Sequence, residues 1–416
     1  MLKAHNRYTT KIALFIFMPL LLNLFYIKQI GINIAYFILV MQCMSFIFSI
    51  KTIKVNSQRP QVLTFILLYL LFITAIFSGL FSSFKMRSFK LSFLVFIPSI
   101  FLFLLTISDN RPYKTFTKIF EVIMDIGMLF ALIAIILFLF GENVKISDGR
   151  TVQSIKLGIL CFSQIVMGKA PFYRVASLTS NPNSLGIILM LSQIATLYLY
   201  KIKKISKEIF FIFYIVQIIG LLLTQSRGAI LTTCIMVILF YFLTREEKVN
   251  KAKMCFLLII IVALVCYFIY KMNFAIFSRF QSGLSNRNLA WRVLINKIKE
   301  RPFIGVGFGV SNEALLQNLG IKAHNVYLNC ISEIGIIGFL IFAFIWLIGL
   351  VHSFMRAKKS NLCRKEKYTY ALVFSILFSL VFHQMVESKL LVYDFMMFLW
   401  IYLISFSIIE LNIGNN

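Results

Sequence analysis

Apolar runs long enough to cross a bilayer recur along this chain, separated by short polar turns. A helical span needs about 20 apolar residues to cross a hydrocarbon core of roughly 30 Å. Such runs lie near 10–28, 30–50, 61–80, 89–107, 119–140, 184–201, 208–224, 228–243, 254–271, 326–351, 369–386 and 391–410. The pattern predicts an all-α, polytopic integral membrane protein of about 12 transmembrane helices. All must be helical, because open backbone cannot sit in lipid. Two longer polar intervals, 141–183 and 271–325, interrupt the runs. They read as external loops of a single transmembrane domain covering 1–416, the second carrying an amphipathic helix near 286–300. No internal repeat, low-complexity segment or separable soluble domain is visible.

Composition agrees with a chain solvated mainly by lipid: 60% of residues are hydrophobic and only 14% charged. Lys and Arg outnumber Asp and Glu by 42 to 15, a net charge of +27. No basic domain stands apart from the spans, so the excess is a topology signal and nucleic acid is not an expected partner. Threaded from a cytoplasmic N-terminus, the inner segments 1–11, 51–60, 108–118, 201–208, 244–253 and 352–368 hold 23 of the 42 Lys and Arg residues. The positive-inside rule then puts both termini in the cytoplasm and both long loops outside, with the basic 81–90 turn as the exception. Lys3, Arg7 and Lys11 before the first run resemble a signal sequence, but no A-x-A-type site follows, and the segment reads as an uncleaved first helix. The seven cysteines show no C-x-x-C pairing and mostly sit in apolar runs, so neither a disulfide framework nor a metal site is expected.

Candidate chemistry gathers in the outward loops. The 271–325 interval is cationic and glycine-rich, a suitable cover for an anionic, lipid-linked substrate. Within it, Arg287, Trp291, Leu294, Ile295 and Ile298 follow helical spacing up to Pro302. An interfacial amphipathic helix would use Trp291 as its belt residue and Arg287 and Arg292 on lipid headgroups. The same helix would let Arg287 clamp a phosphate, which suits guanidinium better than ammonium. Gly305-x-Gly-x-Gly309 lacks the spacing of a dinucleotide fingerprint and reads as a hinge or tight turn. His324, followed by Asn325, enters a span from this loop; a neutral imidazole there could take a proton. Glu387 is the rival carboxylate, unless it simply pairs with an arginine. His383 lies inside a late span. In the first loop, Asn181 with Pro182 fits a helix N-cap. Alternatively Arg174, Asn181 and Asn183 bind a sugar or phosphate. Arg227, in the tight turn Thr224-Gln-Ser-Arg-Gly228, is either an interfacial anchor or an anion ligand.

Ser285-Asn-Arg287-x-x-x-Trp291, Glu300-Arg-Pro-Phe-Ile-Gly-Val-Gly-Phe-Gly309, Ala-His324-Asn325-Val-Tyr-Leu and Glu333-Ile-Gly-Ile-Ile-Gly338 resemble motifs of the O-antigen ligase/polymerase superfamily of bacterial membrane glycosyltransferases. The Thr224–Gly228 turn and the Arg174…Asn183 loop are similar to further parts of that family, and the strongest likeness covers about 220–340. The resemblance implies a metal-independent transferase, without cofactor, whose donor is an undecaprenyl-diphosphate-linked glycan. It implies that Arg227 and Arg287 hold the diphosphate and that His324 is the base for the acceptor hydroxyl. No acidic cluster on the outer face is suited to Mg²⁺. The implied reaction polymerises repeat units into O-antigen or capsule on the outer face of the bacterial cytoplasmic (inner) membrane. The alternative is a ligase moving finished polymer to lipid A-core. A chain-length regulator and a flippase would be partners beside the membrane lipids. A lipid-glycan flippase or transporter is the reading from another class, but no inverted repeat or paired broken spans support it.

Overall fold

The computed structural model describes residues 2–21, 24, 37, 40–42, 44, 58–145, 151–157, 160–168, 173–245, 287–311 and 322–411. The expected spans at 254–271 and, apart from isolated residues, 30–50 lie outside these. In chain order the elements are α1 (Leu2–Leu21), α2 (Arg59–Leu80), α3 (Lys85–Ile107), α4 (Pro112–Phe140), β1 (Glu142–Lys145), β2 (Thr151–Leu157), β3 (Leu160–Met167), β4 (Arg174–Val175), α5 (Pro182–Lys201), α6 (Lys207–Thr224), α7 (Arg227–Thr244), α8 (Arg287–Glu300), α9 (Val326–Lys358), α10 (Arg364–His383) and α11 (Phe395–Ser407). Among the described residues, seven helices are long and apolar enough to cross a membrane: α2 to α7 and α9. The chain is thus an all-α, multi-pass membrane protein in its spanning part, as the apolar runs predict.

The helices form two compact units, residues 1–120 with 286–416, and residues 121–285. In the first unit, α11 is apolar all round and buried along its whole length, which marks it as the core helix. Trp400 of α11 packs with Phe342 and Trp346 of α9 at ring separations of 5.3 and 5.7 Å. Asp394 caps its N-terminus, accepting from the Met396 backbone N–H at 3.0 Å.

Helix α9 is broken at Gly335, whose φ is 70°. A break inside a span frees backbone groups that lipid cannot satisfy. The segment 302–311 satisfies them. The Val306 N–H donates to Ser332 O at 2.9 Å, the Gly307 N–H to Glu333 O at 3.0 Å, and the Ile336 N–H to Pro302 O at 2.8 Å. Gly305 (φ 80°) and Gly335 lie where a side chain would strike Glu333 O and Phe303 O respectively. Only glycine permits that approach. The glycine run, expected to be a hinge or tight turn, is therefore a packed lap joint against the broken helix.

In the second unit, α5 is buried over most of its length against α6 and α7. Ser192 donates to Met124 O at 3.2 Å, and Thr196 to Gln217 Oε1 at 3.0 Å. The interval expected as a loop carries a four-stranded antiparallel sheet in the order β1-β2-β3-β4. Gln153 and Gln164 face each other across β2 and β3, with Gln164 Nε2 donating to Gln153 Oε1 at 3.0 Å.

Candidate active site

In the first unit the polypeptide turns sharply into α9. His324 has φ 51°, in the left-handed region that a β-substituted residue occupies only when its surroundings impose it. Three contacts impose it. The Trp291 indole N–H of α8 donates to Ala323 O at 2.9 Å. The Asn325 side chain caps α9, accepting from the Tyr327 and Leu328 N–H groups at 3.0 and 3.1 Å. The Val326 N–H donates to Gln384 O, beyond the end of α10, at 3.0 Å. Below them Ala290, Leu294 and Ala323 are buried together, with Trp291 and Leu328 against them, so the amphipathic face of α8 anchors the turn.

The result is a side-chain pair. His324 Nδ1 lies 3.2 Å from Glu387 Oε2, the imidazole 32% and the carboxylate 9% exposed. With the carboxylate accepting from Nδ1–H, Nε2 is left as a proton acceptor. Burial alone would raise the Glu387 carboxyl. The hydrogen bond from His324 and the charges of His324, His383 and Lys389 outweigh burial and hold the group below its ordinary range.

Arg287, at the start of α8, does not pair with Glu387. Its Nη1 donates to the backbone carbonyl of the preceding residue, Val386, at 3.1 Å, which ties the start of α8 to the main chain one residue before Glu387. Among the described residues its other N–H groups have no partner and remain available to an anion. Arg292 is exposed on the same helix. One cationic helix, one oriented imidazole and one buried carboxylate thus meet at the entrance of α9.

The second unit holds the other sequence candidates. Asn181 is the N-cap of α5, its side chain accepting from the Asn183 N–H at 2.8 Å, with Pro182 next. Arg174 donates from Nη2 to Asn183 Oδ1 at 2.6 Å and from Nε to Thr224 O at 2.9 Å. It therefore braces the turn after α6, where Gln225 is left-handed with φ 48°. Arg227 follows as the first residue of α7 and is exposed. Arg174, Asn181 and Asn183 come together around the turn that presents Arg227.

Sequence reasoning missed Lys389 and Asp394. Their Nζ and Oδ2 lie 3.0 Å apart, both largely buried, and Glu387 is among the charges acting on Lys389. The available signal was two opposite charges five positions apart in an apolar stretch. Among the described residues no group of three or more His, Cys, Asp or Glu side chains is placed to hold a metal ion.

Residues 210–343 match the model of a family described as O-antigen ligase. That interval takes in the Thr224–Gly228 turn, α8, the glycine lap joint and His324. The chain is also similar to the ComP-specific O-oligosaccharyltransferase of Acinetobacter baylyi, 25% identical over 257 residues, 58% of this chain. The match spans 44% of that relative's length.

Proposed function

We propose that this chain, one of the O-antigen ligase-like superfamily, is a membrane glycosyltransferase that moves a glycan from a lipid diphosphate to a hydroxyl acceptor. The observation that carries the reading is the His324–Glu387 pair, with Arg287 tied to the main chain one residue before Glu387. The acceptor hydroxyl gives its proton to His324 Nε2 as its oxygen attacks the anomeric carbon. The glycosidic C–O bond to phosphate breaks, and the lipid diphosphate leaves with the bonding electrons. Glu387 holds the ring in the productive tautomer and stabilises the imidazolium that forms. Arg287 stabilises the charge growing on the diphosphate, and Arg227 of the second unit is a separate candidate ligand for an anion. Arg292, Trp291 and Asn325 line the approach, and Arg174, Asn181 and Asn183 set the Arg227 turn.

The donor in this reading is an undecaprenyl-diphosphate-linked oligosaccharide, and the acceptor is the terminal sugar of a second such chain. The enzyme then polymerises repeat units at the outer face of the cytoplasmic membrane. The description of the matched family favours a second reading, in which finished polymer passes to lipid A-core. The name of the Acinetobacter relative favours a third, transfer of an oligosaccharide to another hydroxyl-bearing partner.

Glycan profiling of a deletion strain separates them. Single repeat units in place of long surface polymer support polymerisation. Full-length polymer retained on the lipid diphosphate supports ligation. Intact surface polymer with loss of a different glycoconjugate supports the third. A glycan profile identical to the parent strain contradicts all three.

A further inference from the structure

Gln384 caps the C-terminal end of α10 and is fully buried. A buried amide is tolerated when its polar atoms are bonded, and the bonds of this residue go to both halves of the His324–Glu387 pair. Its backbone carbonyl accepts from the Val326 N–H at 3.0 Å, two residues after His324. Its side-chain Oε1 accepts from the Lys389 and Leu390 N–H groups at 2.9 and 3.2 Å, just beyond Glu387. Its Nε2 donates to His383 Nδ1 at 3.3 Å. The main chain of one residue thus holds the turn that carries the imidazole, and its side chain holds the loop that carries the carboxylate.

The loop between α10 and α11 needs such a strap. It opens with the Val386 and Glu387 N–H groups both donating to His383 O, at 3.1 and 3.0 Å, which curls the chain into a turn ending at Glu387. Leu391 then has φ 57°, a left-handed conformation that leucine keeps only when its surroundings impose it. Arg287 ties Val386 on one side of Glu387, and Asn329 ties Ser388 on the other at 3.1 Å. Neither of these bonds reaches the His324 turn. Gln384 does, and its Oε1 spends both lone pairs on loop N–H groups that its removal would strand.

We propose that Gln384 is a positioning residue of the transfer reaction: its side-chain amide straps the 385–390 loop so that Glu387 meets His324 Nδ1, while its carbonyl fixes the His324 turn to the same point. This rests on the reading of His324 as the base. Substitution alters the side chain and spares the carbonyl, so a variant loosens the Glu387 side and leaves the turn into α9 in place. A carboxylate that meets Nδ1 less often leaves the imidazole in the productive tautomer for less of the time. The effect falls on kcat and passes through Glu387.

The experiment is a double-mutant cycle in kcat between Gln384→Met and Glu387→Gln, on the full chain in nanodiscs. The probe is undecaprenyl-diphosphate-linked glycan isolated from the deletion strain. Methionine keeps the length of the side chain and removes the acceptor. Gln384→Met is expected to lower kcat about tenfold, with KM for the lipid-linked donor within about twofold of wild type. In the Glu387→Gln background the same change is expected to cost less than about twofold, because the contact it serves is already lost. The same factor lost again in that background, or a wild-type kcat in Gln384→Met, overturns the proposal. Should Gln384→Met not accumulate in the membrane, Gln384→Asn, whose amide is one methylene short of the loop, decides by the same comparison. Wild-type rates in His324→Ala defeat the underlying reading instead, and are distinguishable because Gln384 is intact in that variant.

Discussion

His324 Nδ1 and Glu387 Oε2 lie 3.2 Å apart across 63 positions of sequence. The two are brought together because Val326 N–H bonds Gln384 O and the Tyr327 hydroxyl bonds Val381 O at 2.7 Å, pinning the first turn of α9 to the end of α10. A glutamine at 387 still fits the space but can present its NH₂ to Nδ1, selecting the wrong tautomer. Glu387→Gln is therefore expected to lower kcat by about 10²-fold, with KM for the lipid-linked donor nearly unchanged. Steady-state transfer kinetics on the purified variant check this.

The same pair makes stability depend on pH in a defined direction. The folded-state carboxyl of Glu387 is held below its ordinary range. Its contribution is then fully present above the unfolded value of about 4.3 and is lost as pH falls through the lower folded value. For Lys389, raised by Asp394, the contribution is present below the unfolded value of about 10.4 and lost only at more alkaline pH. Melting of wild type and Glu387→Gln in detergent should differ at neutral pH, and the gap should narrow as pH falls below the unfolded value of about 4.3 and close once it has passed the lower folded one. A gap that widens on acidification contradicts the assignment.

The glycine lap joint is a packing device. Gly305 and Gly335 both have positive φ, and each sits against backbone of the other segment. Gly335→Ala and Gly305→Ala should each destabilise by at least about 1–3 kcal/mol from the backbone conformation alone, with the clash in addition. Since both act at one joint, the double variant should cost less than the sum. Thermal unfolding of the single and double variants measures both effects.

Arg174 should behave as a brace. Its guanidinium spans Asn183 Oδ1 and Thr224 O, and lysine cannot reproduce a two-armed contact. Both Arg174→Lys and Arg174→Ala are expected to destabilise by about 1–3 kcal/mol, the cost of stranding a buried acceptor. If either keeps wild-type melting while losing donor affinity, Arg174 binds substrate directly.

Much of the architecture was legible in the chain. Each span rests on a run of apolar residues, and α8 on the spacing of Arg287, Trp291 and Leu294. The sheet at 142–175 was not legible, because the partners Gln153 and Gln164 are polar yet buried, which erases the alternation that marks a strand. The break in α9 was hidden by its continuous hydropathy; the groups that satisfy it come from 302–311. His324, Glu387 and Arg287 could each be singled out by residue type. Their pairing could not, because Glu387 takes the imidazole and leaves Arg287 to a main-chain carbonyl.

The most direct measurement is single-turnover transfer by purified protein in nanodiscs, supplied with undecaprenyl-diphosphate-linked repeat unit. Lengthened glycan and released lipid diphosphate are followed together. The predicted result is equal yields of both from wild type, and rates below about 1% of wild type in His324→Ala and Arg287→Ala. Wild-type rates in those two variants, each folded and membrane-embedded, would contradict the site.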